Sequence, residues 1–155
     1  MTPLEQMRVW LKTFPGGIPG NFQVDYTGEI PQNAGLFPAG TTEVSRERSV
    51  SGRVTVTNRL EFALYAVFEK PVDAPAISAE NAEWVMELQR WVQEQSALGL
   101  APVFGNVNTR AETITAQNGA FHSKKDNGAG VYAVTVTAQF QLAMGAAGRD
   151  VPGIP

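Results

Sequence analysis

Between Arg53 and Phe68 the chain alternates with unusual regularity. The even positions are Val54, Val56, Asn58, Leu60, Phe62, Leu64, Ala66 and Phe68. The odd positions begin polar, with Arg53, Thr55, Thr57, Arg59 and Glu61, and then turn apolar at Ala63, Tyr65 and Val67. A period of two predicts a strand with one buried face, and the change near Ala63 predicts that residues 60–68 are covered on both faces. Sixteen extended residues span about 53 Å. A compact chain of this length is only about 40 Å across. Residues 53–59 are therefore expected to pair with residues 41–50 as a β-hairpin arm, about 41–59, that leaves the body.

Helical periodicity occurs twice. "TPLEQMRVWLKTF" opens with Thr2 as N-cap, Pro3 in the first turn and Glu5 three residues after the cap. Leu4, Met7, Leu11 and Phe14 then form one stripe, with Trp10 beside it, until Pro15-Gly16-Gly17 ends the helix. "SAENAEWVMELQRWVQEQSALG" forms the second, with Ser78 as expected N-cap and Gly99 as stop. Its stripe is Trp84, Leu88, Trp91, Gln95 and Leu98, widened by Val85 and Val92. Trp10, Trp84 and Trp91 all sit on apolar stripes, which predicts core packing.

Three further segments alternate: "NFQVDYT", "NVNTRAETITAQNGAFHS" and "VYAVTVTAQFQLAM". "GEIPQNAGLFPAG" is rich in glycine and proline and reads as a loop, with Leu36 and Phe37 as either an anchor to the body or a docking knob. The resulting expectation is an α+β domain over residues 1–145. Its antiparallel sheet has four to five strands, two amphipathic helices pack on one face, and the hairpin arm extends from it. The Gly/Pro-rich tail, residues 146–155, is expected to stay outside the core.

Composition narrows the chemistry. The 155 residues are 43% hydrophobic but only 17% charged, a shortage that suggests neighbouring subunits cover part of the surface. A net charge of −3 argues against a dedicated nucleic-acid binder. The chain contains no cysteine, which removes disulfides, thiolate nucleophiles and Cys-based metal sites. The first segment does not resemble a signal peptide, and no apolar run approaches the length of a membrane span, so a cytoplasmic protein is expected.

His122 is the single histidine and lies beside a predicted turn, where an edge position is its simplest reading. A Ser-His-Asp arrangement assembles from distant positions, so sequence order does not decide against one. The chain has no G-x-S-x-G elbow, phosphate-binding loop or G-x-G-x-x-G. Two charge clusters stand out instead. Arg46, Arg48, Arg53 and Arg59 fall within fourteen positions, while the second helix carries Glu80, Glu83, Glu87 and Glu94 against Arg90. The acidic face is what a solvated helix looks like. It is also one half of a possible head-to-tail contact, with Glu83 and Glu87 meeting the arginines of another copy, and such heterologous contacts close into rings.

Several segments in order resemble a known family: "PLEQMRVWL", "DYTGEIPQNAGLFPAG" with its following "SRE", "FALY", "AEWVMELQRWVQEQSALGLAPVFG" and "GVYAVTVTAQF". They are similar to the tail terminator, or tail-completion, proteins of the head–tail gene cassette of tailed bacteriophages, often labelled minor capsid proteins. The similarity runs through residues 3–142 and leaves out the tail. It implies a non-enzymatic homo-oligomer without cofactor, typically a hexameric ring. Such a ring caps the tail tube protein, ends its polymerisation and offers a surface to the head–tail connector proteins, while genome DNA passes through the lumen without specific binding. It would assemble in the host cytoplasm and remain in the particle. A head-completion protein that binds the portal–adaptor complex is an alternative from the same cassette. A small enzyme or ligand-binding domain is another from a different class, since an α+β fold by itself excludes neither.

Overall fold

The computed structural model describes the backbone of residues 2–18, 22–24, 33–71, 75–124 and 129–145, with side chains for 2–18, 34–68, 80–119 and 130–145. The fold is α+β. Its elements in chain order are α1 (Pro3–Leu11), β1 (Phe22–Val24), β2 (Asn33–Arg48), β3 (Val54–Pro71), α2 (Pro75–Ala97), β4 (Thr113–Lys124) and β5 (Ala129–Met144). The sheet order is β1-β2-β3-β5-β4. The four long strands are antiparallel to their neighbours, and three-residue β1 joins β2 in parallel.

The N-terminus of α1 forms as its sequence demands: Thr2 Oγ1 accepts from the Glu5 N–H at 3.2 Å, and Pro3 occupies the first turn. Its buried residues Met7, Trp10 and Leu11 join Val85, Leu88 and Val92 of α2 in one cluster. The same cluster holds Leu36, Phe62, Leu64, Val134, Val136 and Ile114. Register explains the membership, because Leu36 lies opposite Leu64 and Leu64 opposite Val134, so these side chains share one face.

Aromatic rings tie the helices to the sheet. Trp10 stacks on Trp91 with centroids 5.0 Å apart, Phe14 touches Trp91 and Trp84, and Trp84 meets Phe68 edge-on at 5.1 Å. Phe68 then meets Tyr132 at 5.5 Å. The indole N–H groups are satisfied as well: Trp10 donates to Gln95 Oε1 at 3.2 Å and Trp84 to the Gly17 carbonyl at 2.7 Å. Trp84 and Trp91 are half-buried rather than fully enclosed, and Leu98, expected on the stripe, is largely exposed.

Several expectations need correction. Residues 33–40 are not loop but the first half of β2, and Leu36 is completely buried opposite Leu64. Pro38 is tolerated there because it adjoins a β-bulge, between Pro38 and Gly40, on a strand near the sheet edge. Helix α2 begins at Pro75, so Ser78 lies inside it rather than capping it. The fourth strand starts only at Thr113, after a loop and a short 3-10 turn over Thr109–Ala111. The hairpin expected over 41–59 is not a free two-stranded ribbon either. Strand β5 runs beside β3 down to the Val54–Met144 pair, so β3 is paired on both sides throughout that span. "NFQVDYT" is described only at Phe22–Val24, the side chain of His122 lies outside the described residues, and so does the tail after Gly145.

Each strand edge is treated differently. On β4, the Ile114 N–H donates to Ser96 Oγ at 3.0 Å and Gln89 Nε2 donates to the Ala116 carbonyl at 3.1 Å, so side chains of α2 occupy the outer edge. Beyond Gln139, where β4 ends, a loop covers β5. The Asn106 N–H donates to the Gln141 carbonyl at 3.0 Å, and the Asn106 amide exchanges hydrogen bonds with both backbone groups of Ala143. Glu112 holds this loop by accepting from the Phe104 and Gly105 N–H groups at 2.8 and 3.1 Å. Outer edge bonds to β2 come from β1 at Ala34–Leu36; from Gly40 to Arg48 no described residue bonds to that edge.

Two expected outcomes follow from this packing. Trp10→Ala removes a stacked, buried indole and should cost about 3–5 kcal/mol in urea unfolding. Gly105→Ala places a Cβ 2.2 Å from the Gln141 carbonyl oxygen, where only backbone movement relieves the clash. It should cost about 1–3 kcal/mol and raise amide exchange at residues 141–143 selectively.

Candidate functional site

The four arginines do not form one patch. Arg46 lies opposite Val56 and Arg48 opposite Val54, on the face that further along carries the core. Arg59 lies opposite Thr42 and Gln139, on the other face, because the bulge between Glu43 and Ser45 resets the alternation of β2. Arg53 stands in the β2–β3 turn, whose geometry is fixed by Ser49 Oγ accepting from the Arg53 N–H at 3.2 Å and by Gly52 in the left-handed region at φ 91°.

Arg46 already has a partner. Its Nη2 donates to Glu43 Oε1 at 2.7 Å and its Nε to Oε2 at 3.2 Å, a two-point contact on an exposed strand. That hydrogen bonding, with the charge of the carboxylate, holds the guanidinium above its ordinary pKa. Arg48 and Arg53 make no ion pair with a described residue. Glu83 and Glu87 are likewise exposed on α2, one turn apart and away from buried Val85, Leu88 and Val92.

These opposite charges stand far apart. Trp84 touches Phe68, so Glu83 sits near that end of β3, and Val85 lies near Gly119 of β4. Arg46 and Arg48 pair with residues 56 and 54 at the other end. About ten strand residues separate the two levels, roughly 33 Å. That is several Debye lengths at physiological salt, so the two clusters do not neutralise each other within one chain.

The docking-loop candidates divide. Leu36 is core, whereas Phe37 points to the opposite face and meets Tyr65 edge-on at 5.5 Å. Tyr65 in turn packs on Val67 and Val131, a small second cluster on the face away from the main core. Toward Val54 this second face becomes polar and hollow. One depression of about 350 Å³ lies between Val44 and the 107–112 loop, over Thr57 and Gln141. Another of about 380 Å³ lies over Arg59, Glu61, Thr115 and Thr137, and Gln139 borders both. Threonine hydroxyls and glutamine amides line both, with Arg59 and Glu61 in the second and Val44, Val107 and Phe140 in the first, and Glu112 is committed to the backbone of its own loop. Among the described residues no three side chains of metal-ligand type converge. No described helix is long and apolar enough to cross a membrane.

Sequence reasoning missed the polar hollow and the stretch of β2 edge to which no described residue bonds. Alternating Thr and Gln in the last two strands signals a solvated face, but the loop that walls the hollow reads from sequence as part of a strand.

No protein-family model matches the chain, and no curated protein matches it. Among solved structures, one with no descriptive name is 16% identical over 87% of each chain, with a TM-score of 0.38. At that level the likeness carries no argument.

The Glu43–Arg46 contact is exposed, so Glu43→Ala should change the unfolding free energy by less than about 0.5 kcal/mol in urea titration.

Proposed function

We propose that this chain is a ring-forming structural protein at the head–tail junction of a tailed phage or phage-like particle. The ring caps the tail tube, ends its polymerisation and offers the docking surface for the head connector. In this reading the two helices cover one face of the sheet, and the far end of the three-stranded layer β2, β3 and β5 meets a neighbour. The observation that supports it best is the charge division: Arg48 and Arg53 at one end and Glu83 and Glu87 about 30 Å away, with no ion pair among described residues. A surface that cannot satisfy itself but is complementary to its own copy suits a heterologous, head-to-tail contact, and such contacts close into rings. The ordered resemblance of residues 3–142 to tail terminators supports a tailed phage or phage-like particle as the setting. Partners in this reading are further copies of the chain, hexameric in the family, with the tube protein below and connector proteins above. Genome DNA passes through the lumen without sequence reading, and assembly takes place in the host cytoplasm.

Native mass spectrometry at high protein concentration, with and without tail tubes, tests the proposal. Closed rings bound to tube ends are expected, and a strict monomer with no affinity for tubes overturns it. Charge reversal of Arg46 and Arg48 together to Glu should weaken ring assembly at least tenfold while leaving the melting temperature within about 2 °C. Reduced thermal stability with intact assembly would make this segment intramolecular structure instead.

A further inference from the structure

The turn between β2 and β3 presents an apolar side chain to solvent. Val50 is the second of its four residues, 49–52, and is the most exposed large apolar side chain among the described residues. Turns ordinarily carry Gly, Pro, Asn, Asp or Ser, so a β-branched residue here gains nothing from local structure. The turn is nonetheless rigid. The Ser49 N–H donates to the Arg53 carbonyl at 2.9 Å and the Gly52 N–H to the Ser49 carbonyl at 3.0 Å, while the Ser49 and Ser51 hydroxyls share a hydrogen bond of 2.8 Å. Arg48 and Arg53 stand at its base, exposed and in no ion pair with a described residue. A valine is thus held on a fixed knob between two guanidinium groups.

Helix α2 carries a site of opposite character. Met86 is 68% exposed on its outer side. Glu83, three residues earlier, is its neighbour on the helix surface, and Glu87 continues that row one turn on. Ala82, four residues before Met86, rises no higher than a methyl group and leaves a shallow step beside the thioether. Methionine suits such a contact because its unbranched chain adapts to the shape that meets it. Arg90, four residues after Met86, sets the direction: a basic knob approaches over residues 82–87. Leu98, 64% exposed, has one carboxylate a turn before it, Glu94, rather than a row.

Within one chain the two sites do not meet. Val50 lies beyond the Val54 level, at the end of the sheet opposite Phe68 and Trp84, with about ten strand residues, roughly 33 Å, between. Neither can travel, since one is on a hydrogen-bonded turn and the other on a helix packed into the core. A second copy supplies the partner.

We propose that the β2–β3 turn of one copy docks on α2 of the next, with Val50 against Met86 at the centre and Arg48 and Arg53 reaching Glu83 and Glu87 around it. This contact rests on the ring reading above. An apolar centre inside a charged rim is the usual anatomy of a specific interface, and the centre carries most of the affinity. The charges steer the copies together, and the apolar pair decides how tightly they join.

The absence of native cysteine allows a direct test in the full chain. Copies carrying Val50→Cys are mixed with copies carrying Met86→Cys and oxidised mildly at the concentration that gives assembly. The mixed disulfide, read by mass, is expected at about tenfold or more above that between Val50→Cys and Leu98→Cys copies, whose cysteine sits about 18 Å further along the same helix. Val50→Ser and Met86→Ser should each weaken ring assembly about tenfold with the melting temperature within about 2 °C, since neither side chain is buried. The double variant should be less than about twofold weaker than either single one, because both remove the same contact.

Cross-linking no better than at Leu98, or assembly indifferent to Val50→Ser, overturns the docking. So do losses that simply multiply in the double variant. Failure is separable from failure of the ring reading: rings that cap tubes without the 50–86 cross-link remove this contact alone, whereas a chain that stays monomeric and ignores tubes removes both.

Discussion

The fold depends on a line of aromatic contacts that runs from Trp10 through Trp91, Phe14 and Trp84 to Phe68 and Tyr132. A sheet with one apolar face needs a cover, and two helices of nine and 23 residues make a cover only if they are fixed to each other and to the strands. The rings achieve both, because each is wide enough to touch two elements. The indole hydrogen bonds to Gln95 and to the Gly17 carbonyl then set their orientation, giving each N–H an acceptor while the ring stays packed. The Gly17 bond also ties the chain after α1 to α2.

With the helices fixed over one end, the remaining length of β3 is explained by its neighbours. Strands β2 and β5 accompany it to Val54, and the Phe104–Asn106 loop closes the side that β4 leaves uncovered. Beyond the helices the sheet is held by its own hydrogen-bond ladders, by the side-chain clips of the 104–112 loop, and by Phe104, which packs on buried Phe140 with ring centroids 5.8 Å apart. The face opposite the helices divides at Ala63 as the residue pattern suggested, with Tyr65, Val67 and Val131 packed together on one side of that point and Thr, Gln, Arg59 and Glu61 on the other.

How far the sequence revealed this follows from what each local signal means. The β3 and β5 alternations and the α1 cap were legible because period and capping chemistry act within a few residues. The first half of β2 was not: Gly35, Pro38 and Gly40 read as loop, although a bulge on a strand near the sheet edge accommodates them. The start of α2 was misplaced at Ser78 because serine is a common N-cap, whereas the helix begins at Pro75, a residue equally at home in a first turn. The arginine cluster was visible as a count, but its division between two faces follows from a bulge that no local pattern announces. The acidic residues of α2 were correctly placed on an exposed face, since helical periodicity fixes faces without reference to a partner strand.

The two bulges of β2 have one more effect. Each inserted residue increases local right-handed twist and bends the strand that carries it. Whatever lies against the outer side of β2 is therefore rotated relative to the strands behind it, rather than continuing them in a flat layer. An edge of this kind is poorly suited to a straight stack of identical sheets. The curvature of this side of the sheet is therefore written into β2 itself, by two residues left out of its pairing with β3.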